Sequence, residues 1–201
     1  MLAIILLSLL PLSTIAQFPS PTAYYTSSLV FVPNIYKIYW NASSTSITAE
    51  IAVQTLGWVG FGISTTGDMP GSDLIVAWID STGYTNFTDR YVTSDRQVKI
   101  DSKQDWFLLA GKQTNGFTII KFTRLIDTCD TAQDLVIPGQ TTKIIIAWGT
   151  TAPSSGNNIT YHGTSNRAPV AMLLLSSLSS PLVITPADNA QLYNFTLNVI
   201  F

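Results

Sequence analysis

A single histidine, His162, limits the chemistry open to this 201-residue chain. A zinc or copper centre of the usual two- or three-imidazole kind cannot be assembled from one imidazole. A Ser-His-Asp triad would have to use His162, and no nucleophile-elbow sequence accompanies it. The lone cysteine, Cys129, sits in Asp127-Thr-Cys-Asp130, where flanking carboxylates make it a poor nucleophile. Without a second cysteine there is no internal disulfide, so a packed core must hold the fold and the thiol either pairs outside the chain or stays inert. Met69 lies in Gly67-Asp68-Met69-Pro70-Gly71, a loop between candidate strands, where a thioether has no evident packing role. A Met and a His on separate loops can ligate haem iron from opposite faces, a pairing that raises the reduction potential.

The acidic residues are the other candidates. Eleven of the twelve are Asp, and ten of these lie between Asp68 and Asp134. Short carboxylates in loops at strand ends suit a hard cation such as Ca²⁺, which takes six to eight oxygens. Most of these aspartates read as turn formers, and Asp73 and Asp105 are the pair singled out for a cation.

Composition narrows the function classes. Charged residues make up 11% and the net charge is −2, which gives no basic footprint for nucleic acid. Apolar residues make up 46%, enough for the core of a two-sheet domain. Residues 2–10 form an apolar run broken only by Ser8, followed by Pro11 to Ala16. That run is of signal-peptide length, too short for a bilayer, with cleavage expected after Ala16 and the mature chain beginning at Gln17. No other segment is long enough to span a membrane, and the chain is expected in the secretory lumen or outside the cell. Export fits four glycosylation sequons, at Asn41, Asn86, Asn158 and Asn194, all near expected strand ends.

The elements that must position these residues are strands. Short apolar or alternating runs rich in β-branched and aromatic residues recur, separated by Gly, Asn, Asp, Ser and Pro clusters. They predict strands over 28–32, 36–40, 45–54, 57–64, 74–79, 85–91, 106–111, 117–124, 142–148 and 169–175. Many short strands with such turns make an all-β sandwich. Phe61, Ile63, Ile75, Ile119, Phe122, Ile145 and Ala147 are expected to point inward. After Ser176 the texture changes to Leu, Ser and Pro, so 177–201 reads as a linker plus a possible first strand of another domain. Residues 17–27 form an N-terminal segment before the domain proper, 28–176.

Along that domain runs a resemblance. The string Gly57-Trp-Val-Gly-Phe-Gly-Ile-Ser64, then Met69-Pro-Gly-Ser-Asp73-Leu-Ile-Val76 and Asp89-Arg-Tyr91, resembles a DOMON domain. Asp105-Trp-Phe-Leu-Leu, Phe122-Thr-Arg124, Thr128-Cys-Asp130, Tyr161-His162 and Asn166-Arg167 continue it in order. It is most similar to the N-terminal modules of dopamine β-hydroxylase-like, copper type II, ascorbate-dependent monooxygenases. The resemblance implies an immunoglobulin-like β-sandwich. In cytochrome-type relatives it implies haem b held by residues matching Met69 and His162. In the monooxygenase group it implies an accessory module followed by copper domains, with Cys129 bonded to a downstream domain. The tail Tyr193-Asn-Phe-Thr-Leu resembles the opening strand of the first copper domain, but the His-rich copper motifs are not in this sequence. No copper and no oxygenase activity is therefore expected of this chain.

Three readings follow. The first is a non-catalytic accessory or ligand-binding module, partnered by downstream copper domains or by another chain through Cys129. The second is an extracytoplasmic haem b electron-transfer domain. It requires the loops holding Met69 and His162 to converge at one end of the sandwich, around a pocket lined by residues such as Tyr161, Tyr91 or Trp78. The third is a calcium-stabilised carbohydrate-binding sandwich with Trp58 or Trp106 as a sugar platform.

Overall fold

Alternation of apolar and polar residues gives each strand two faces, and here both faces of one sheet turn out to be used. The computed structural model describes residues 17–154 and 158–175. The expected signal segment 1–16, Asn194 and the 177–201 linker lie outside the described residues. Eleven strands follow in order: β1 Ser27–Val32, β2 Tyr36–Ala42, β3 Ser46–Val53, β4 Val59–Ser64, β5 Asp73–Ile79 and β6 Thr85–Val92. The rest are β7 Val98–Ile100, β8 Trp106–Thr114, β9 Phe117–Leu125, β10 Thr142–Trp148 and β11 Arg167–Met172. They form two antiparallel sheets, β1-β2-β3-β9-β8 and β11-β10-β4-β5-β6-β7, packed as an immunoglobulin-like β-sandwich.

Local chemistry fixes the turns. Asn115 and Gly116 both have positive φ, 50° and 81°, as a two-residue hairpin between β8 and β9 requires. That turn sets the register from Thr114↔Phe117 to Ala110↔Lys121, before a one-residue shift leads to Leu108↔Phe122 and Trp106↔Arg124, and carries β8 past the expected end at 111 into the polar Lys112-Gln113-Thr114. Pro169 sits in β11, an edge strand, where its missing N–H leaves no ladder bond unmade in the sheet interior. β7 has three residues and pairs with β6. It is too short to give a sequence pattern, and it was not expected.

The sandwich core is aromatic and aliphatic. Phe61, Ile63, Ile75 and Phe122 point into it, as expected, together with Tyr36, Ile38, Trp106, Ile144 and Ile146. Phe61 and Phe122 meet the Trp106 ring edge-on, with centroids 6.1 and 5.5 Å away, a favoured aromatic geometry. Trp106 is buried and cannot serve as a surface sugar platform.

Three of the expected inward positions belong to outer faces. Ile145 and Ala147 pack with Trp58, Leu74, Val76 and Trp78 on the far side of the six-stranded sheet. The run Ile144-Ile145-Ile146-Ala147 is apolar on both faces, so alternation could not phase it. Ile119 lies on the outer face of the five-stranded sheet with Phe117, under the N-terminal segment, whose Phe18 ring sits 5.6 Å from that of Phe117.

Candidate functional site

The outer face of the six-stranded sheet carries a cleft of about 890 Å³, within the size range of small-molecule and cofactor pockets. Its floor follows from the strand registers. One cross-strand row runs Arg167, Ala147, Gly60, Val76, Thr88, and the next runs Pro169, Ile145, Gly62, Leu74, Arg90. Val59, Phe61 and Ile63 of β4 face the core, so Gly60 and Gly62 must face the cleft.

The two glycines have different reasons. A Cβ on Gly62 would come within 2.4 Å of the Leu74 Cβ, so packing of the strands requires glycine there. A Cβ on Gly60 would meet nothing closer than 3.5 Å. Neighbouring atoms therefore do not demand glycine at 60, where it costs about 0.5–1 kcal/mol relative to alanine. A strand glycine without a packing reason leaves room for a ligand to approach the backbone. A side chain at this position would fill the trough instead.

Met69 and His162 both line this cleft. They reach it from opposite ends, not from one end as expected. Met69 is in the loop leaving the C-terminal end of β4, whereas His162 is in the connection leaving the C-terminal end of β10. The antiparallel register Lys143↔Ser64 to Trp148↔Val59 places those ends at opposite edges of the face.

Each ligand candidate is held by its own loop. The Asp68 carbonyl accepts hydrogen bonds from Ser64 Oγ at 2.7 Å and Ser72 Oγ at 2.8 Å. Asp68 Oδ1 accepts the Met69 N–H at 2.8 Å, and Arg96 donates to both Asp68 carboxylate oxygens, at 3.0 and 2.6 Å. This bidentate pair, with the Met69 N–H, holds the Asp68 carboxyl below the usual carboxylate range. The Met69 side chain packs against the Trp58, Leu74 and Val76 cluster. His162 Nδ1 lies 2.6 Å from the Gly163 carbonyl oxygen. Donation of Nδ1–H to that carbonyl assigns the tautomer and leaves the Nε2 lone pair open for a metal. The imidazole sits 4.6 Å from the Tyr161 ring and 6.5 Å from that of Trp58. Tyr161 lines the cleft, but Tyr91 and Trp78 do not. Trp78 is buried on the same outer face, in the cluster with Trp58, Leu74 and Val76.

The aspartates behave differently from the expected pair. Asp73 is fully buried: Oδ1 accepts Trp106 Nε1–H at 2.7 Å, and Oδ2 accepts the Leu135 N–H at 3.0 Å. Oδ2 also meets Arg124 Nη1 at 2.8 Å. Carboxylate oxygens of Asp73, Asp89 and Asp134 lie within 4.8 Å of one another. Asp105 is not one of that group; its carboxylate pairs with Lys103 at 3.0 Å, while its N–H donates to Asp89 Oδ2. One guanidinium, Arg124, pairs with two of the three carboxylates, Asp73 and, at 3.6 Å, Asp134. Asp89 Oδ1 is buried without a hydrogen-bond partner. Burial raises the Asp89 carboxyl to about 8 and Asp73 to about 6.

Cys129 is exposed, at a positive φ of 60°. Of the described sequons, Asn158 is exposed on the cleft rim. Asn41 and Asn86 are half-buried, with Nδ2 donating to the Tyr24 carbonyl at 3.0 Å and to Asp80 Oδ2 at 3.2 Å. Gly60, Asp89, Asp134 and the three cleft arginines were not singled out from sequence. The alternation Gly60-Phe-Gly62 was the available signal for the trough, because glycine on one face of a strand pattern leaves that face bare.

Comparison with known proteins places these observations. The DOMON domain family model matches residues 33–149, a stretch that includes Met69 and ends before His162. A Drosophila melanogaster protein, MOXD1 homolog 2, is 36% identical over 124 residues, 61% of this chain and 16% of its own length. Human DBH-like monooxygenase protein 1 is 30% identical over 159 residues, 79% of this chain and 25% of its own. The chain thus spans a quarter or less of the length of these relatives. Among solved structures, the cytochrome b domain of pyranose dehydrogenase from Coprinopsis cinerea superposes with a TM-score of 0.54 at 20% identity, over 70% of this chain and 76% of that one. The cytochrome domain of Myriococcum thermophilum cellobiose dehydrogenase gives 0.54 at 13%, over 73% and 78%. At these identities the structural likeness concerns the fold.

The buried acid group makes stability depend on pH. An unfolded Asp titrates near 3.9, while folded Asp89 is raised to about 8. Between those values the folded state holds the extra proton, so the stabilisation present below about 4 is lost as pH rises towards about 8. Asp89 contributes a loss of at most about 1.4 kcal/mol per pH unit in that window, and Asp73, raised to about 6, adds to it below that pH. Urea unfolding across pH 5–8 in EDTA measures it, and Asp89→Asn should flatten the curve above about pH 6, where Asp73 no longer titrates. An unchanged slope in that variant would refute the assignment to Asp89.

Proposed function

Because the chain belongs to the DOMON family, we propose that it is an extracytoplasmic, non-catalytic module whose cleft holds a b-type haem between Met69 and His162. The observation carrying this reading is that both side chains line one apolar-floored cleft, reached from opposite ends of one sheet face. The donor set suits the group: a thioether and a neutral imidazole are the ligand pair of high-potential haem. The trough left open at Gly60 suits the edge of a planar ligand that stands on the sheet between the two loops. When bound, the group supplies a one-electron couple.

The chain's own residues bind and tune. The Gly163 carbonyl fixes the His162 tautomer and orientation. The Asp68–Arg96 pair fastens the loop that presents Met69. Trp58, Leu74 and Val76 exclude water from the cleft floor. Export fits the expected signal segment 1–16 and the glycan acceptors, Asn158 above all. The expected experiment is an absorption spectrum after haem reconstitution. A Soret band should form in the wild type, disappear in His162→Ala, and shift in Met69→Ala with a fall in reduction potential. A colourless reconstituted wild type would refute the reading and leave the accessory one, a module that binds some other ligand beside the catalytic domains of a larger monooxygenase.

The acid group supports a separate site. We place a hard cation of the Ca²⁺ type against Asp73, Asp89 and Asp134, in place of the expected pair with Asp105, because the buried Asp89 Oδ1 has no partner. Ligand linkage then requires the melting temperature to rise with CaCl₂ and fall in EDTA, with the response lost in Asp89→Asn. Equal melting temperatures in both buffers would mean that a proton alone neutralises Asp89.

Cys129, exposed and without an internal partner, is assigned to a disulfide with another domain or chain. Non-reducing electrophoresis of the secreted protein should show a species that Cys129→Ser abolishes. A thiol that titrates as free in every secreted form would rule this out.

A further inference from the structure

The cleft's charges go beyond the axial pair, and they specify what else its ligand must carry. Four side chains of fixed charge line the cleft: Asp68, Arg90, Arg96 and Arg167. Their sum is +2, three cations against one anion, in a chain whose net charge is −2. The excess is not spread evenly. Arg96 is committed to Asp68, through both carboxylate oxygens. Arg90 is buried in the sheet face, and its Nε donates to Thr88 Oγ1 at 2.9 Å. Arg167 is exposed at the first position of β11; its charge helps to hold the Asp68 carboxyl low, without a direct hydrogen bond or ion pair within the described residues.

Its position in the register is informative. Arg167 stands opposite Ala147, and Ala147 opposite Gly60, so the guanidinium closes one end of the row whose small side chains form the trough. A planar ligand standing on that row, over Gly60 and Ala147, therefore has one edge at Arg167. A guanidinium presents a planar fork of donors that matches a carboxylate bidentately. The geometry points to Arg167 as the anchor for an anionic edge of the ligand, so the cleft takes a planar apolar carboxylate and not a neutral sugar. Within the haem reading, on which this rests, the anchored groups are the propionates.

The experiment separates charge from iron ligation by using three probes on the whole protein: hemin, iron-free protoporphyrin IX, and protoporphyrin IX dimethyl ester, each added from the same co-solvent. Fluorescence quenching and absorption titrations give the affinities. The wild type should bind protoporphyrin IX at least tenfold more tightly than its ester. Arg167→Glu should abolish that preference and weaken hemin binding by a similar factor without altering ester binding, while Arg167→Lys should keep most of it. Unchanged hemin and protoporphyrin affinities in Arg167→Glu would overturn the inference. So would equal losses for the acid and the ester, which would mark a structural role. If the acid preference depends on Arg167 but hemin shows no His162-dependent spectrum, the anchor stands and the axial-ligand reading fails. Uptake of none of the three probes by the wild type overturns both.

Discussion

The Asp73 carboxylate joins the two sheets of this protein at one buried point. It opens β5 of the six-stranded sheet and receives Trp106 from β8 and Arg124 from β9 of the five-stranded one. The Arg124 guanidinium also lies over the Trp106 ring, 5.0 Å from its centroid. A buried ion pair is weak evidence of net stability, because desolvation offsets most of the attraction. Its geometry is another matter: removing one partner leaves an uncompensated charge, costing about 3–5 kcal/mol. The pairing thus fixes one relative placement of the sheets. It also fixes where the Met69 loop ends, at the start of β5, four residues after Met69.

The functional face exists because the six-stranded sheet is apolar on both sides. Its inner side interdigitates with the other sheet; its outer side has no third layer, and loops from opposite ends close over it instead. β4 shows the division most plainly, with valine, phenylalanine and isoleucine turned to the core and two glycines turned outward. Large side chains facing outward there would have produced a ridge. The glycines produce a trough, and the β4–β5 and β10–β11 connections bring a thioether and an imidazole to it.

Two kinds of buried polar chemistry sit back to back across β5. Between the sheets is a carboxylate-rich knot with one guanidinium; on the outer face is a cleft with excess positive charge. Strand alternation keeps them apart, since Asp73 and Leu74 point to opposite sides. An acidic protein can in this way present a locally cationic cleft without placing the charges within reach of its buried aspartates.

The all-β class and most strand positions were legible in the sequence, as were Met69 and His162 as residues to watch, and both line one cleft. Strand texture and residue inventories are local properties, and a single histidine admits few combinations. The sequence left undecided everything that depends on which side of a strand faces which neighbour. Ile145 and Ala147 belong to a run apolar on both faces, and Ile119 is buried by Phe18 from a distant segment, so no periodicity could phase them. Asp89 is an ordinary polar residue of an expected strand and Asp134 a turn-forming aspartate until the β5–β6 register and the Leu135 N–H contact to Asp73 bring them beside it. Arg167 is an unremarkable strand-end arginine until two ladders set it in line with Ala147 and Gly60. Composition and spacing chose the chemistry available; the pairing of distant strands, which no local pattern encodes, decided where it converges.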